Sequence, residues 1–200
     1  SEMCIRDRNY IAELWKQRGW IDDNEVREIK THHGAFSVMP RKGLRVVSLN
    51  TDFWYQYNFY AYINSANPDF SGMLRFLTDE LLDAEKDGDR VWIVGHVLTG
   101  WNGKEALASP TNLFYQIVSR FAPHTLGAIY FGHTHEDQFE VFYFNDNGND
   151  KSTDQSTEKA VSIAYIAPSI TPYQNLNPTF RVYSVHPVTY EIMDLSLIHI

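Results

Sequence analysis

At 200 residues, 44% of them hydrophobic, the chain can bury one sizeable core and is too apolar for a disordered or collagen-like polymer. A net charge of -8 with scattered Lys and Arg excludes a surface built for nucleic-acid phosphates, which needs clustered cations. The longest apolar runs, such as VWIV and AIYF, fall far short of the ~20 residues that a bilayer-spanning helix needs. Cys4 is the sole cysteine, so no disulfide forms within the chain and compartment is not readable from cysteine usage.

The ends SEMCIRDR and LSLIHI look like translated adaptor sequence, so residues 1–8 and 195–200 are expected to be non-native and residues 9–194 to carry the domain. Residues 9–30 place Ile11, Leu14, Trp15, Val26 and Ile29 at helical spacing with a break at Gly19. AFSVMP and LRVVSLN read as two strands joined by the turn RKG. The aromatic-dense DFWYQYNFYAYIN then leads to an Asn67-Pro68-Asp69 turn, and Leu74, Leu77, Leu81 and Leu82 predict an amphipathic helix over 70–86 that ends near Gly88.

RVWIVGH is a short buried strand, Pro110 to Phe121 a second helix, and LGAIYFGH another buried strand. Strands alternating with helices predict α/β units in a helix-covered sheet. QFEVFYF, AVSIAYIAP, FRVYSV and TYEIMD follow as successive strands, with the polar NDNGNDKSTDQSTEK as a long exposed hairpin loop between the first two.

His96 and His133 each follow a glycine that ends an apolar strand. Residues just past the carboxyl ends of strands line the ligand crevice of an open α/β sheet, so these two imidazoles can converge. His135 adds a third, and extended His-Thr-His spacing would put His133 and His135 on one side of the chain. A lone Gly-His is more often a packed or surface histidine, whereas three in matching contexts favour a metal such as zinc. His32, His33, His124 and His186 lack that context and read as ordinary structural or solvated residues, and His199 falls in the suspect tail. Three imidazoles suit one catalytic zinc or half of a two-metal phosphoesterase site, which also needs carboxylates. Asp52, Glu136 and Asp137 are the nearby acids; Glu136 and Asp137 follow the histidines too closely for a bridge and read as a solvated strand start.

GHVLTG at 95–100 and YFGHTHEDQFEVFY at 130–143 resemble the last two metal motifs of calcineurin-like metallophosphoesterases, and more narrowly of the acid sphingomyelinases. GLRVVSLNTDFW at 43–54, the segment 63–96 and AYIAPSITPYQNLNPTFRVYSV at 164–185 extend the resemblance in order, over roughly residues 20–190. It implies the carboxyl-terminal half of a four-layer α/β/β/α sandwich with two Zn2+ ions at the strand ends. His96 and His133 would bind one zinc, His135 the other, and Tyr173 would lie at the substrate's phosphocholine end, although a packed loop aromatic accounts for it as well.

The implied activity is hydrolysis of sphingomyelin-type phosphodiesters to ceramide and phosphocholine, in a secreted or lysosomal/vacuolar setting with peripheral membrane contact. Val97-Leu98-Thr99-Gly100 stands where the family carries prolines, which bears on the loop more than on the ligand. The family's earlier motifs, Asp-x-His, Gly-Asp-x-x-Asp and Gly-Asn-His-Glu, do not occur in these residues. The chain is therefore expected to be an inactive fragment with no identifiable catalytic acid. The alternatives are a related phosphoesterase of nucleotides or polyphosphate, and a binding module that has lost its catalytic half.

Overall fold

A computed structural model describes residues 2–64, 66–100, 105–144, 156–172 and 175–200, with side chains from Ile5 onward. Helices α1 (Glu2–Gln17) and α2 (Asp23–Thr31) form a small hairpin. A capping box starts α2: the Asp22 side chain accepts from backbone nitrogens, and the Glu25 carboxylate accepts from Asp22 N at 2.7 Å. The pair buries Ala12, Ile21, Val26 and Ile29 against Phe36 and Val38. The break expected at Gly19 is real, with φ of 71° there.

Strands β1 (Phe36–Arg41), β2 (Leu44–Ser48), β3 (Arg90–Val94), β4 (Leu126–Phe131), β5 (Gln138–Tyr143) and β6 (Ala160–Ile166) make one sheet ordered β1-β2-β3-β4-β6-β5. The four central strands are parallel, and β1 and β5 close the edges antiparallel. The parallel joins need crossovers; α3 (Met73–Asp87) links β2 to β3 and α4 (Ala108–Phe121) links β3 to β4. Gly88 ends α3 in the left-handed conformation at φ 75°, as the Leu periodicity and the glycine after it predict.

The strands alternate between two buried faces. Val91, Ile93, Ile129, Ala164 and Ile166 join Leu77, Leu81, Phe114 and Val118 of the helices in one core. Trp92, Tyr130 and Tyr165 point the other way, toward a second sheet of two strands, β7 (Thr179–Val185) and β8 (Ile192–His199). Tyr183 packs edge-on against Tyr130 and Tyr165, both at 5.4 Å, and Trp92 Nε1 donates to Tyr190 O at 3.1 Å. The fold is mixed α/β as expected, and the described residues supply three of the four implied layers, α/β/β.

The aromatic stretch after β2 folds into two 3₁₀ turns, Thr51–Trp54 and Phe59–Tyr62. The last strand lies later than the TYEIMD pattern suggests. Tyr190 turns back at φ 56° and its hydroxyl donates to Lys42 O at 2.7 Å, so pairing begins at Ile192. Helix α1 and strand β8 run across residues 8/9 and 194/195 without a break. Of the polar 145–159 loop, 145–155 lie outside the described residues.

Phe114 is fully buried against Trp54, Phe131 and Phe142. Phe114→Ala is expected to lower unfolding stability by about 3–5 kcal/mol in urea titration. Burial also pushes the Glu140 carboxyl up from 4.5 to about 7. Its folded-state pKa is raised, so its stability contribution is full below the unfolded value and disappears as pH rises toward the folded one. Glu140→Gln, neutral at every pH, is expected to raise Tm relative to the parent at pH 8 and to leave it nearly unchanged at pH 4. Equal shifts at both pH values would exclude a buried, protonated Glu140.

Candidate metal centre

All four parallel strands end at the same edge, and one hydrogen bond beyond each holds the loops in step. Leu49 N donates to Val94 O at 2.8 Å, Gly95 N to Tyr130 O at 2.9 Å, Gly132 N to His96 O at 3.0 Å, and Ala167 N to Phe131 O at 2.8 Å. Thr51, buried after β2, accepts from His96 N at 2.9 Å and Val97 N at 2.7 Å through one hydroxyl. Its methyl lies where a residue-95 side chain would begin: a Cβ on Gly95 would come within 2.5 Å of Thr51 Cγ2 and 3.1 Å of the Phe131 ring. The glycine before His96 is thus a close-approach position.

The loop after His96 is anchored without prolines. Val97 and Leu98 are buried in the helix-side core, and Trp54 Nε1 donates to Val97 O at 2.9 Å. Packing therefore holds this loop in place.

His96 and His133 meet as expected. His133 Nδ1 is 3.4 Å from His96 Nε2, with the rings nearly perpendicular at 85°. Two nitrogens bound tetrahedrally to one zinc at about 2.0–2.1 Å stand about 3.3–3.4 Å apart. The separation of the two nitrogens therefore matches that of two ligands on one such ion. Partial burial lowers the His96 pKa, charge on His133 and His135 adds to the effect, and Asp52 opposes it. Each cause but the last favours the neutral imidazole that a metal requires.

His135 lies close enough for its charge to act on His96, and Ser169 N donates to His135 O at 3.2 Å. The backbone here is not the extended one that the His-Thr-His spacing suggests. His133 and His135 both adopt left-handed conformations, at φ 76° and 64°, and Thr134 N closes a tight turn onto Gly132 O at 3.0 Å. Such residues cost on the order of 1–3 kcal/mol each and concentrate at functional sites. Among the described residues no three His, Cys, Asp or Glu side chains form a metal-holding group, so the geometry joins two of the three expected ligands.

Of the nearby acids, Asp52 is exposed. Glu136 accepts from Gln138 Nε2 at 2.5 Å. Asp137 is not a merely solvated residue, because it pairs with the guanidinium of Arg181 on β7. Tyr173 lies outside the described residues. Among the described residues the acid in direct contact with a histidine of this pair is Glu105, unmarked by any sequence motif, whose Oε2 is 2.8 Å from His133 Nε2.

No protein-family model matches the chain. It is 38% identical over 175 residues to the sphingomyelin phosphodiesterase of Bos taurus and 37% identical over 175 residues to that of Homo sapiens, in each case 88% of this chain and 25% of the relative. Sphingomyelin phosphodiesterase B of Dictyostelium discoideum is 34% identical over 191 residues, 96% of this chain and 28% of the relative. A dimetal phosphatase from Danio rerio is 11% identical with a TM-score of 0.41, covering 67% of this chain and 48% of that one. The chain is thus a homologue of phosphoric diester hydrolases. Among them it is homologous to the sphingomyelin phosphodiesterases, and it spans about a quarter of the length of those relatives.

Gly95→Ala forces Thr51 and Phe131 apart beneath His96. The expected cost is about 1–3 kcal/mol of stability, as for other overpacked sites, with the His96 and Val97 amide signals displaced in a ¹H–¹⁵N spectrum. Unchanged Tm and unchanged amides would show that the close approach does not exist.

Proposed function

We propose that this chain supplies the histidine wall of a two-zinc centre in a phosphodiesterase that cleaves sphingomyelin-type lipids to ceramide and phosphocholine. The observation that carries the reading is the meeting of His96 Nε2 and His133 Nδ1 at 3.4 Å past the ends of adjacent parallel strands. These two nitrogens hold one ion and His135 contributes to the second. When bound, such ions supply Lewis-acid stabilisation of the phosphoryl group and an activated water. The chain's own residues set the ligand geometry: Thr51 fixes the His96 backbone, the Gly132–Thr134 turn aims His133, and Ser169 ties down His135.

The lipid substrate is supported by the aromatic face beside the site. Tyr55 packs on the His133 ring at 4.8 Å and Tyr57 packs on Tyr55 at 5.4 Å. From there Tyr57, Phe59, Tyr60, Tyr62 and Ile63 present exposed apolar surface. Large exposed apolar patches mark interaction sites, and this one suits acyl chains and a peripheral membrane contact. The role at the phosphocholine end of the substrate falls to Tyr173 by the sequence resemblance, and the protein works in a secreted or lysosomal/vacuolar setting.

Residues 1–200 alone are expected to bind zinc weakly and to show no phosphodiesterase turnover, because carboxylate bridges and a general acid are needed to complete the centre. The complete gene product is expected to hydrolyse sphingomyelin faster than a nucleotide diester, with the activity lost on chelation and restored by zinc. Faster hydrolysis of the nucleotide diester overturns the lipid reading; sphingomyelin hydrolysis unaffected by chelator overturns the metal reading.

A further inference from the structure

His133 is held from both edges of its ring. On one edge Nδ1 faces His96 Nε2 at 3.4 Å; on the other Nε2 meets the Glu105 carboxylate at 2.8 Å, with side chains only 19% and 23% exposed. An ionised carboxylate only accepts hydrogen bonds, so Nε2 must carry the hydrogen. In the neutral ring that leaves the Nδ1 lone pair facing His96.

The carboxylate is placed by backbone pairing and not by chance reach. Tyr55 and Ala106 form an antiparallel bridge. Gln56 N donates to Glu105 O at 2.9 Å and Leu107 N to Trp54 O at 2.8 Å. The same pairing carries Tyr55, whose ring stands edge-on to His133 at 76° and hinders rotation of the imidazole. Glu105 and Tyr55 thus act as two jaws on one short ladder.

We infer that Glu105 is a positioning residue that locks His133 in the Nε2–H tautomer and presents Nδ1 to the metal. The inference rests on the metal-centre reading above. A carboxylate behind a ligating histidine fixes its tautomer and orientation and raises its basicity, and loss of such a partner lowers metal affinity about 10–100-fold. Glu105 lies across the ring from His96, which suits it to hold the ligand from behind.

The test uses the 200-residue chain with ¹⁵N-labelled histidine and two variants, Glu105→Ala and Glu105→Gln. Long-range ¹H–¹⁵N spectra recorded without metal are expected to give the Nε2–H tautomer for His133 in the parent. Glu105→Ala should give a tautomer mixture, and Glu105→Gln, whose amide oxygen still accepts, should return the Nε2–H form. Cobalt(II) titration followed by visible absorbance is expected to weaken at least about 10-fold in Glu105→Ala and less in Glu105→Gln. An Nδ1–H tautomer in the parent, an unchanged tautomer in Glu105→Ala, or unchanged cobalt affinity in Glu105→Ala overturns the assignment. A Glu105-dependent tautomer in a parent chain that binds no cobalt upholds the tautomer lock and overturns the expectation that residues 1–200 hold a metal ion by themselves.

Discussion

One buried hydroxyl sets the geometry on which the site depends. Thr51 Oγ1 takes both the His96 and the Val97 amide hydrogens; without it the buried Val97 donor would lack this partner, at a cost of about 1–3 kcal/mol. That arrangement needs β2 and β3 to end level with each other and needs no side chain between them. The parallel register supplies the first, pairing Ser48 with Val94, and Gly95 supplies the second. His133 then follows, because Gly132 N bonds to His96 O and carries the next strand's ending across. Histidines 37 residues apart in sequence come within contact through three backbone hydrogen bonds and one threonine.

Much of this was legible beforehand, for identifiable reasons. Apolar runs ending in Gly-His mark β3 and β4, and the Leu spacing over 74–82 marks α3, because each pattern reflects a face that must be buried. His96 and His133 were visible through the same logic, since strand ends in such sheets line a crevice. The conformation of the His-Thr-His segment was not. Alternation assumes extended backbone, and two left-handed residues around a tight turn break the assumption without leaving any compositional mark.

Glu105 shows a different limit. It is a lone acid in a loop, and its partner is 28 residues further along. Only the pairing of 54–56 with 105–107 brings it to the site, and that pairing joins segments with no periodicity to read. Asp137 is similar: its sequence context reads as a solvated strand start, whereas Arg181, 5% exposed, draws it into the junction between the two sheets. Arg181 also donates to Gln138 O at 2.8 Å, so one guanidinium fastens β7 to the strand that leaves the histidine turn.

The left-handed backbone at His133 and His135 carries a conformational cost that other residue types would avoid. Glycine would sit at φ 76° or 64° without the steric penalty a Cβ brings, and asparagine tolerates that region better than most residues. A protein under no demand but to stay folded would gain by exchanging either imidazole. Holding imidazoles at both positions, two residues apart, carries a cost on the order of 1–3 kcal/mol each that glycine at either place would relieve.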